Sequence, residues 1–276
     1  MISLLFGLIV GFSLGLTGGG GSIFAVPLLV YGLAIPPHEA VGVSLAAVGA
    51  TALVGAITRL RRREVELKAA ILFGMAGVVG APLGSMLGVR LPAHILMVGF
   101  ALLMLMIAAR LWRQAVRRPG DARVVRAGDD THDPAADSGP ACRVSPSGAL
   151  TLTSRCAVVL LLTGVTTGVL SGLFGVGGGF LIVPALVLIV SLPMHRAVPT
   201  SLLVIAIISV SGTLAYLLSG RPLALGVTIP FVLGGLAGMA VGVRLSRRLA
   251  GPQLQKLFAL LMVGVAIFTL IEEIYR

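Results

Sequence analysis

Apolar residues in this chain come in long unbroken runs, and the polar residues stand between the runs rather than alternating with them. Runs of about 20 apolar residues are the length an α-helix needs to cross a hydrocarbon core of about 30 Å. The first run, residues 1–35, exceeds that length and is interrupted by Gly18-Gly19-Gly20-Gly21-Ser22, then Ile23-Phe24-Ala25-Val26-Pro27. As one helix it would be roughly 50 Å long. It therefore either crosses with a break or turns back at the glycines as a re-entrant hairpin. In lipid such irregular backbone persists only where protein or a cavity satisfies its polar groups. After Pro36-Pro37-His38-Glu39, further spans are expected over residues 40–60 and 67–89, and from Pro92-Ala93-His94 to Arg110-Leu111-Trp112-Arg113. Gly74, Gly77, Gly80, Gly84 and Gly88 read as packing positions, because small residues let two helix backbones approach. Trp112 beside Arg113 reads as an anchor at the membrane surface.

Residues 113–155 mix Arg and Asp with Gly, Pro and Ser and have little apolar periodicity. They are expected to form a flexible polar linker in the cytoplasm. Beyond it the first pattern returns. A shift of 157 residues places Gly18 on Gly175, Pro27 on Pro184, His38 on His195, Ser44 on Ser201 and Gly55 on Gly212. A shift of 158 places Phe100-Ala101-Leu102-Leu103-Met104 on Phe258-Ala259-Leu260-Leu261-Met262. The expected domains are a first membrane repeat (1–112), the linker (113–155) and a second membrane repeat (156–276). The fold expected is an all-α polytopic membrane protein of two homologous repeats. Each has a glycine-broken, re-entrant helix and three transmembrane helices.

Composition agrees with a membrane protein: 57% of the 276 residues are hydrophobic and 11% charged. The net charge of +11 does not indicate nucleic acid, since the basic residues lie between apolar runs and not on one aromatic-interleaved face. Loop charge instead chooses the topology. With two hairpins, each repeat crosses three times and the second repeat is inverted. Arg59, Arg61, Arg62, Arg63 and Lys68, the linker, His195-Arg196, Arg244, Arg247, Arg248 and Lys256 then share the cytoplasmic side, as the positive-inside rule requires. Eight crossings would put the group from Arg244 to Lys256 outside. Met1-Ile2-Ser3-Leu4 has no positive n-region, so a cleaved signal peptide is not expected. Cys142 and Cys156 show neither metal-ligand spacing nor a disulfide framework and are expected to be incidental.

The second half-helix of each hairpin is expected to begin near Ser22 or Gly179. Its first N–H groups lack intrahelical partners and carry the positive end of the helix dipole, which makes an anion site without a buried cation. The expected substrate-binding residues are Thr17, Gly18, Gly19, Gly20, Gly21, Ser22 and Ser44, with Gly175, Gly177, Gly178, Gly179, Thr200 and Ser201 in the second repeat. For each hydroxyl taken alone, ordinary helix hydrogen bonding is the alternative. Ser44 and Ser201 gain weight because both repeats place them identically. His38 and His195 also match. They read first as interfacial or structural, with a gating or proton-linked role as the alternative. A side chain at Gly20 or Gly177 is expected to block a ligand and leave the fold intact, whereas Gly77 reads as packing. No Asp or Glu falls in mid-span, which favours an anionic substrate. No HExxH, GxSxG, CxxC or paired carboxylates occur, so an enzyme, a metal site or a cofactor is not expected.

With the two glycine motifs, the matched His-x-Ala-Val link and Pro199-Thr200-Ser201, the chain resembles the TauE/SafE sulfite exporter family, also called the toluene-sulfonate uptake permeases. The resemblance covers both membrane halves. It implies a multi-pass protein of the bacterial inner membrane that moves small sulfur-containing or carboxylate anions, such as sulfite or sulfonates. The implied partners are that anion and the lipid bilayer, with homo-oligomerisation left open. A permease working by alternating access is the reading favoured; a passive anion channel, or a membrane-embedded enzyme, is the alternative. The inverted topology makes a direct prediction. Single cysteines at positions 38 and 221 should react with an impermeant thiol reagent on intact cells, and those at 195 and 247 should not. Labelling at 247 would restore the eight-crossing arrangement.

Overall fold

The computed structural model describes residues 2–117, 143–144, 150–151, 154–174, 179–190, 192, 194–220, 222–246 and 251–274. Among these, the first half holds α1 (Ile2–Thr17), α2 (Gly20–Pro27), α3 (Pro37–Leu60), α4 (Leu67–Arg90) and α5 (Ala93–Arg117). The second holds α6 (Ser154–Phe174), α7 (Gly179–Leu188), α8 (Met194–Leu218), α9 (Leu225–Ser246) and α10 (Gly251–Ile274). Between the halves, β1 (Arg143–Val144) pairs antiparallel with β2 (Leu150–Thr151), so the linker region contains a small element that composition did not announce. The fold is all-helical apart from that pair. Among the described residues, six helices are long and apolar enough to cross a membrane: Pro37–Leu60, Leu67–Gly88, His94–Arg113, Cys156–Phe174, Met194–Leu218 and Leu225–Ser246.

The first glycine run turns back. Gly18 adopts φ +75°, a left-handed conformation that costs glycine nothing and other residues strain. The chain then returns along α1, so that a Cβ at Gly21 would lie 2.2 Å from the carbonyl of Val10, and one at Gly32 would lie 2.4 Å from the ring of Phe6. The returning helix begins at Gly20, two residues before the expected Ser22, and passes into a π-helical turn, Leu28–Gly32. That turn follows Pro27, whose ring and missing N–H disturb the α ladder. The two hairpins are not copies. α1 has 16 residues, whereas α6 has 21 and is by itself long enough to cross.

Four helices pair across the halves through glycine. On α4, Cβ atoms at Gly80 and Gly84 would fall 2.4 and 1.9 Å from the carbonyls of Val165 and Val169 on α6. On α9, those at Gly234 and Gly238 would fall 2.0 Å from the carbonyls of Leu4 and Leu8 on α1. Both pairs run parallel, and each joins helices from different halves. α3 and α8, by contrast, run antiparallel: Gly42 faces Tyr216, Gly49 faces Ser209 and Gly55 faces Leu202. Gly77 lies against Ile208 and Gly168, an interface position as expected. The opposite face of α4 presents Ile71, Met75, Val79 and Leu83 outward. Large apolar residues therefore face the lipid and small ones face protein, because lipid tails offer no hydrophobic gain and close packing must hold the helices together.

One expectation is corrected. Cys156 is fully buried and disulfide-bonded, not incidental; Cys142 lies outside the described residues. Reading the cysteines only for metal spacing or a multi-bridge framework missed the bond at Cys156.

The glycine contacts predict opposite outcomes for the same mutation. Gly84→Ala places a methyl against the backbone of α6 and should cost about 1–3 kcal/mol through overpacking. Gly264→Ala on α10 meets nothing within 4 Å and should be neutral or stabilising by up to about 1 kcal/mol through helix propensity. Melting of both variants in one detergent measures the difference.

Candidate anion site at the glycine turns

The first turn is held by its own side chains. The Thr17 hydroxyl donates to the carbonyl of Ser13 at 2.8 Å and accepts the N–H of Gly20 at 2.8 Å, capping α2. The Ser22 hydroxyl donates to the carbonyl of Gly19 at 2.7 Å. Thr17 and Ser22 thus fix the turn's shape, meeting backbone groups that lipid would leave unpaired. Gly20 is packed as well: a Cβ there would lie 2.4 Å from the Thr17 hydroxyl and 3.3 Å from the Phe258 ring. This corrects the expectation that a leucine at this position blocks a ligand and spares the fold, since it must break the Thr17 cap.

The first turn meets the start of α7. A Cβ at Gly19 would lie 2.1 Å from the Gly179 carbonyl, and one at Gly179 would lie 2.8 Å from the Ser22 hydroxyl. The starts of α2 and α7 are therefore in backbone contact. The contact leaves no room for an anion between Gly19 and Gly179 themselves, so a ligand has to lie beside it. Gly175, Gly177 and Gly178 lie outside the described residues.

The matched hydroxyls of α3 and α8 are used differently. Ser201 donates to the carbonyls of Gly18, at 2.9 Å, and Val198, at 2.8 Å, tying α8 to the first turn. Its repeat partner Ser44 is equally buried, at 0% exposure, yet its hydroxyl has no hydrogen-bond partner among the described residues. A buried hydroxyl left unpaired costs about 1–3 kcal/mol. Ser44 is therefore the sequence-predicted site residue with donor capacity to spare. Thr200 accepts the Glu66 N–H at 3.0 Å and serves the loop between α3 and α4. His195 is exposed near the start of α8, beside Arg196, which forms an ion pair with Glu66 at 2.5 Å. His38 is half-buried at the opposite end of the bundle.

The sequence reading missed a buried cation. Arg59, 6% exposed at the end of α3, reaches the Gly15 carbonyl at 3.4 Å and the Ser246 hydroxyl at 3.3 Å. It also lies 3.5 Å from Glu64, and its Nε atom is unpartnered. It had been grouped with the solvated Arg61, Arg62 and Arg63. The available signal was position: Arg59 precedes the end of its helix, whereas the other three follow it.

Six membrane-length apolar helices among the described residues, with the starts of α2 and α7 in backbone contact, define a polytopic membrane protein. The model of the family described as "Sulfite exporter TauE/SafE" matches residues 3–269. A "Probable membrane transporter protein" of Xylella fastidiosa (strain Temecula1) is 34% identical over 267 residues, covering 95% of this chain and 91% of its own. The "Probable membrane transporter protein YunE" of Bacillus subtilis (strain 168) is 25% identical over 288 residues, covering 100% and 98%. No solved structure matches. The chain belongs to the TauE/SafE family of membrane transporters.

The unequal serines predict unequal costs. Ser201→Ala removes two hydrogen bonds and frees the Gly18 carbonyl, and should destabilise by about 1–2 kcal/mol. Ser44→Ala removes an unpaired buried hydroxyl and should leave the melting temperature unchanged or raise it. Melting curves of the two variants without added anions test this.

Proposed function

We propose that this protein is a permease that carries a small anion, sulfur-containing such as sulfite or a sulfonate, across the bacterial inner membrane by alternating access. The observation that carries the reading is the unpartnered Ser44 hydroxyl, matched by repeat to the serine that holds the first glycine turn. Helix starts carry partial positive charge and unpaired N–H groups, so an anion beside the contact of α2 and α7 needs only such donors to replace its water. The antiparallel contact of α3 and α8, which occupy the same place in the two halves, supports inverted repeats. Equivalent helices run antiparallel across a two-fold axis when that axis lies in the membrane plane.

The end carrying Arg59, Arg196 and Glu66 is the cytoplasmic one in this reading. Arg61, Arg62, Arg63, Lys68, Arg110, Arg113, Arg244 and Lys256 share it, and excess Lys and Arg in short loops orients a membrane protein. The Cys156 disulfide argues the other way, since disulfides belong to oxidising compartments. The number of basic residues at that end supports the cytoplasmic assignment. Homo-oligomerisation is no part of the proposed mechanism.

A thermal-shift screen of the detergent-solubilised protein against sulfite, thiosulfate, small sulfonates and small carboxylates tests the reading. A ligand at 100 times its Kd stabilises by about 2.7 kcal/mol. Ser44→Ala should weaken the responding anion about tenfold or more, as expected for a lost hydrogen bond to a charged group. Absence of any anion response in the wild-type protein would remove the proposal.

A further inference from the structure

At the end of the bundle opposite Arg59 lies a cleft of about 270 Å³. Its walls come from both halves: His38 of α3, Ser85 and Arg90 of α4, Gly172 of α6, Tyr216 of α8 and Ser219 just beyond it. Because the halves repeat, this cleft has a counterpart at the other end, and its residues can be named. The 157-residue shift pairs His38 with His195, Gly172 with Gly15 and Tyr216 with Arg59. The matched glycine contacts of α4 and α9 (Gly80, Gly84 and Gly88 against Gly234, Gly238 and Gly242) pair Ser85 with Met239 and Arg90 with Arg244.

Among the described residues, the positions matched to Tyr216 and Ser85 at the other end are held by buried side chains. At the position Tyr216 takes in the open cleft, Arg59 is hydrogen-bonded to the Gly15 carbonyl and to Ser246. Where Ser85 lines the open cleft, Met239 is 3% exposed and packed so closely that a Cβ at Gly55 would lie 2.6 Å from its sulfur. Nearby, the ion pair of Arg196 with Glu66 and the hydrogen bond from the Glu66 N–H to Thr200 tie the α3–α4 loop to α8.

We propose that the open cleft is an anion-binding vestibule, and that it is the open member of a pair whose other member is plugged by Arg59. The proposal rests on the permease reading for its purpose but not for its geometry. No carboxylate lines the cleft, and Arg90 forms no ion pair among the described residues. The Ser85 and Ser219 hydroxyls are committed to the carbonyls of Pro82 and Ala215. Arg90 therefore sets the sign of the potential, and the vestibule selects by charge: a small oxyanion, sulfonate or carboxylate, held with waters that need about 30 Å³ each. When the pair exchanges roles, Arg59 leaves Gly15, Ser246 and Glu64, and its guanidinium lines the newly opened cleft.

Thiol chemistry in detergent tests this without knowledge of the substrate. In a Cys142→Ala, Cys156→Ala background, Ser219→Cys is treated with two methanethiosulfonates, one bearing a sulfonate and one a trimethylammonium group. The sulfonate reagent should react about tenfold faster, as a focused positive potential implies, and Arg90→Gln should bring the two rates together. Met239→Cys should be silent to both reagents until Arg59→Ala, or the milder Glu64→Gln, is added. Either addition should then raise its rate at least about fivefold, in proportion to the fraction of molecules opened. Equal rates at position 219 in the presence of Arg90 overturn the vestibule. So does a Met239→Cys rate equal to that of Ser219→Cys, or one unmoved in folded Arg59 and Glu64 variants. If anions fail to shift the melting temperature while the charge preference stands, the permease reading falls and the vestibule remains. An anion response without charge preference gives the reverse.

Discussion

A backbone amide in hydrocarbon has no water to fall back on, and this structure is arranged around the place where that constraint is hardest to meet. The chain reverses at Gly18 inside the bundle, and every polar group of the reversal has to find protein. Thr17 caps the returning helix, Ser22 closes onto Gly19, and Ser201 comes from the other half of the chain to take the Gly18 carbonyl. Such a turn tolerates little solvent and little movement, so its neighbours must pack against it closely. The glycines of α4 and α9 provide that packing by bringing α6 and α1 within backbone contact. Neither hairpin is braced mainly by its own half: α1 lies on α9 and α6 on α4. The halves are consequently interlocked and not merely adjacent.

Interlocked repeats invite comparison of equivalent positions, and the informative ones are those where equivalence fails. Ser201 is fully engaged, and Ser44 has no partner among the described residues. Arg59 is held by hydrogen bonds where Tyr216 lines a cleft, and Met239 is packed where Ser85 lines that cleft. A duplicated chain held in perfect symmetry would have both ends open or both shut, and neither state transports anything. Two packings of the same repeat, one at each end, are what an alternating mechanism requires. The Arg59 guanidinium meets a backbone and a side-chain acceptor at once, through hydrogen bonds of 3.4 and 3.3 Å that are long for a charged donor.

Hydropathy alone determined that the chain is a helical membrane protein. Runs of apolar residues have no other stable home, and their lengths located α3, α4 and α5. A repeated pattern was also legible, because shifts of 157 and 158 residues align glycines, prolines and serines of the two halves. The glycine clusters marked where helices break, since no other residue is placed so often in so costly a position.

What the linear pattern left open, tertiary contact decided. Whether the first run crosses or returns depends on what α2 packs against, and that is α1. Whether Thr17 and Ser22 face a ligand or their own backbone depends on turn geometry, and they face the backbone. Arg59 looked like its neighbours Arg61, Arg62 and Arg63 because charge patterning records which residues are basic and not which are enclosed. Burial arises only once α1 and α9 close over the end of α3. The difference between Ser44 and Ser201 could not be read at all, because the repeat makes their sequence surroundings alike. Local chemistry fixes what a residue can donate or accept, and only the assembled bundle fixes whether a partner is there.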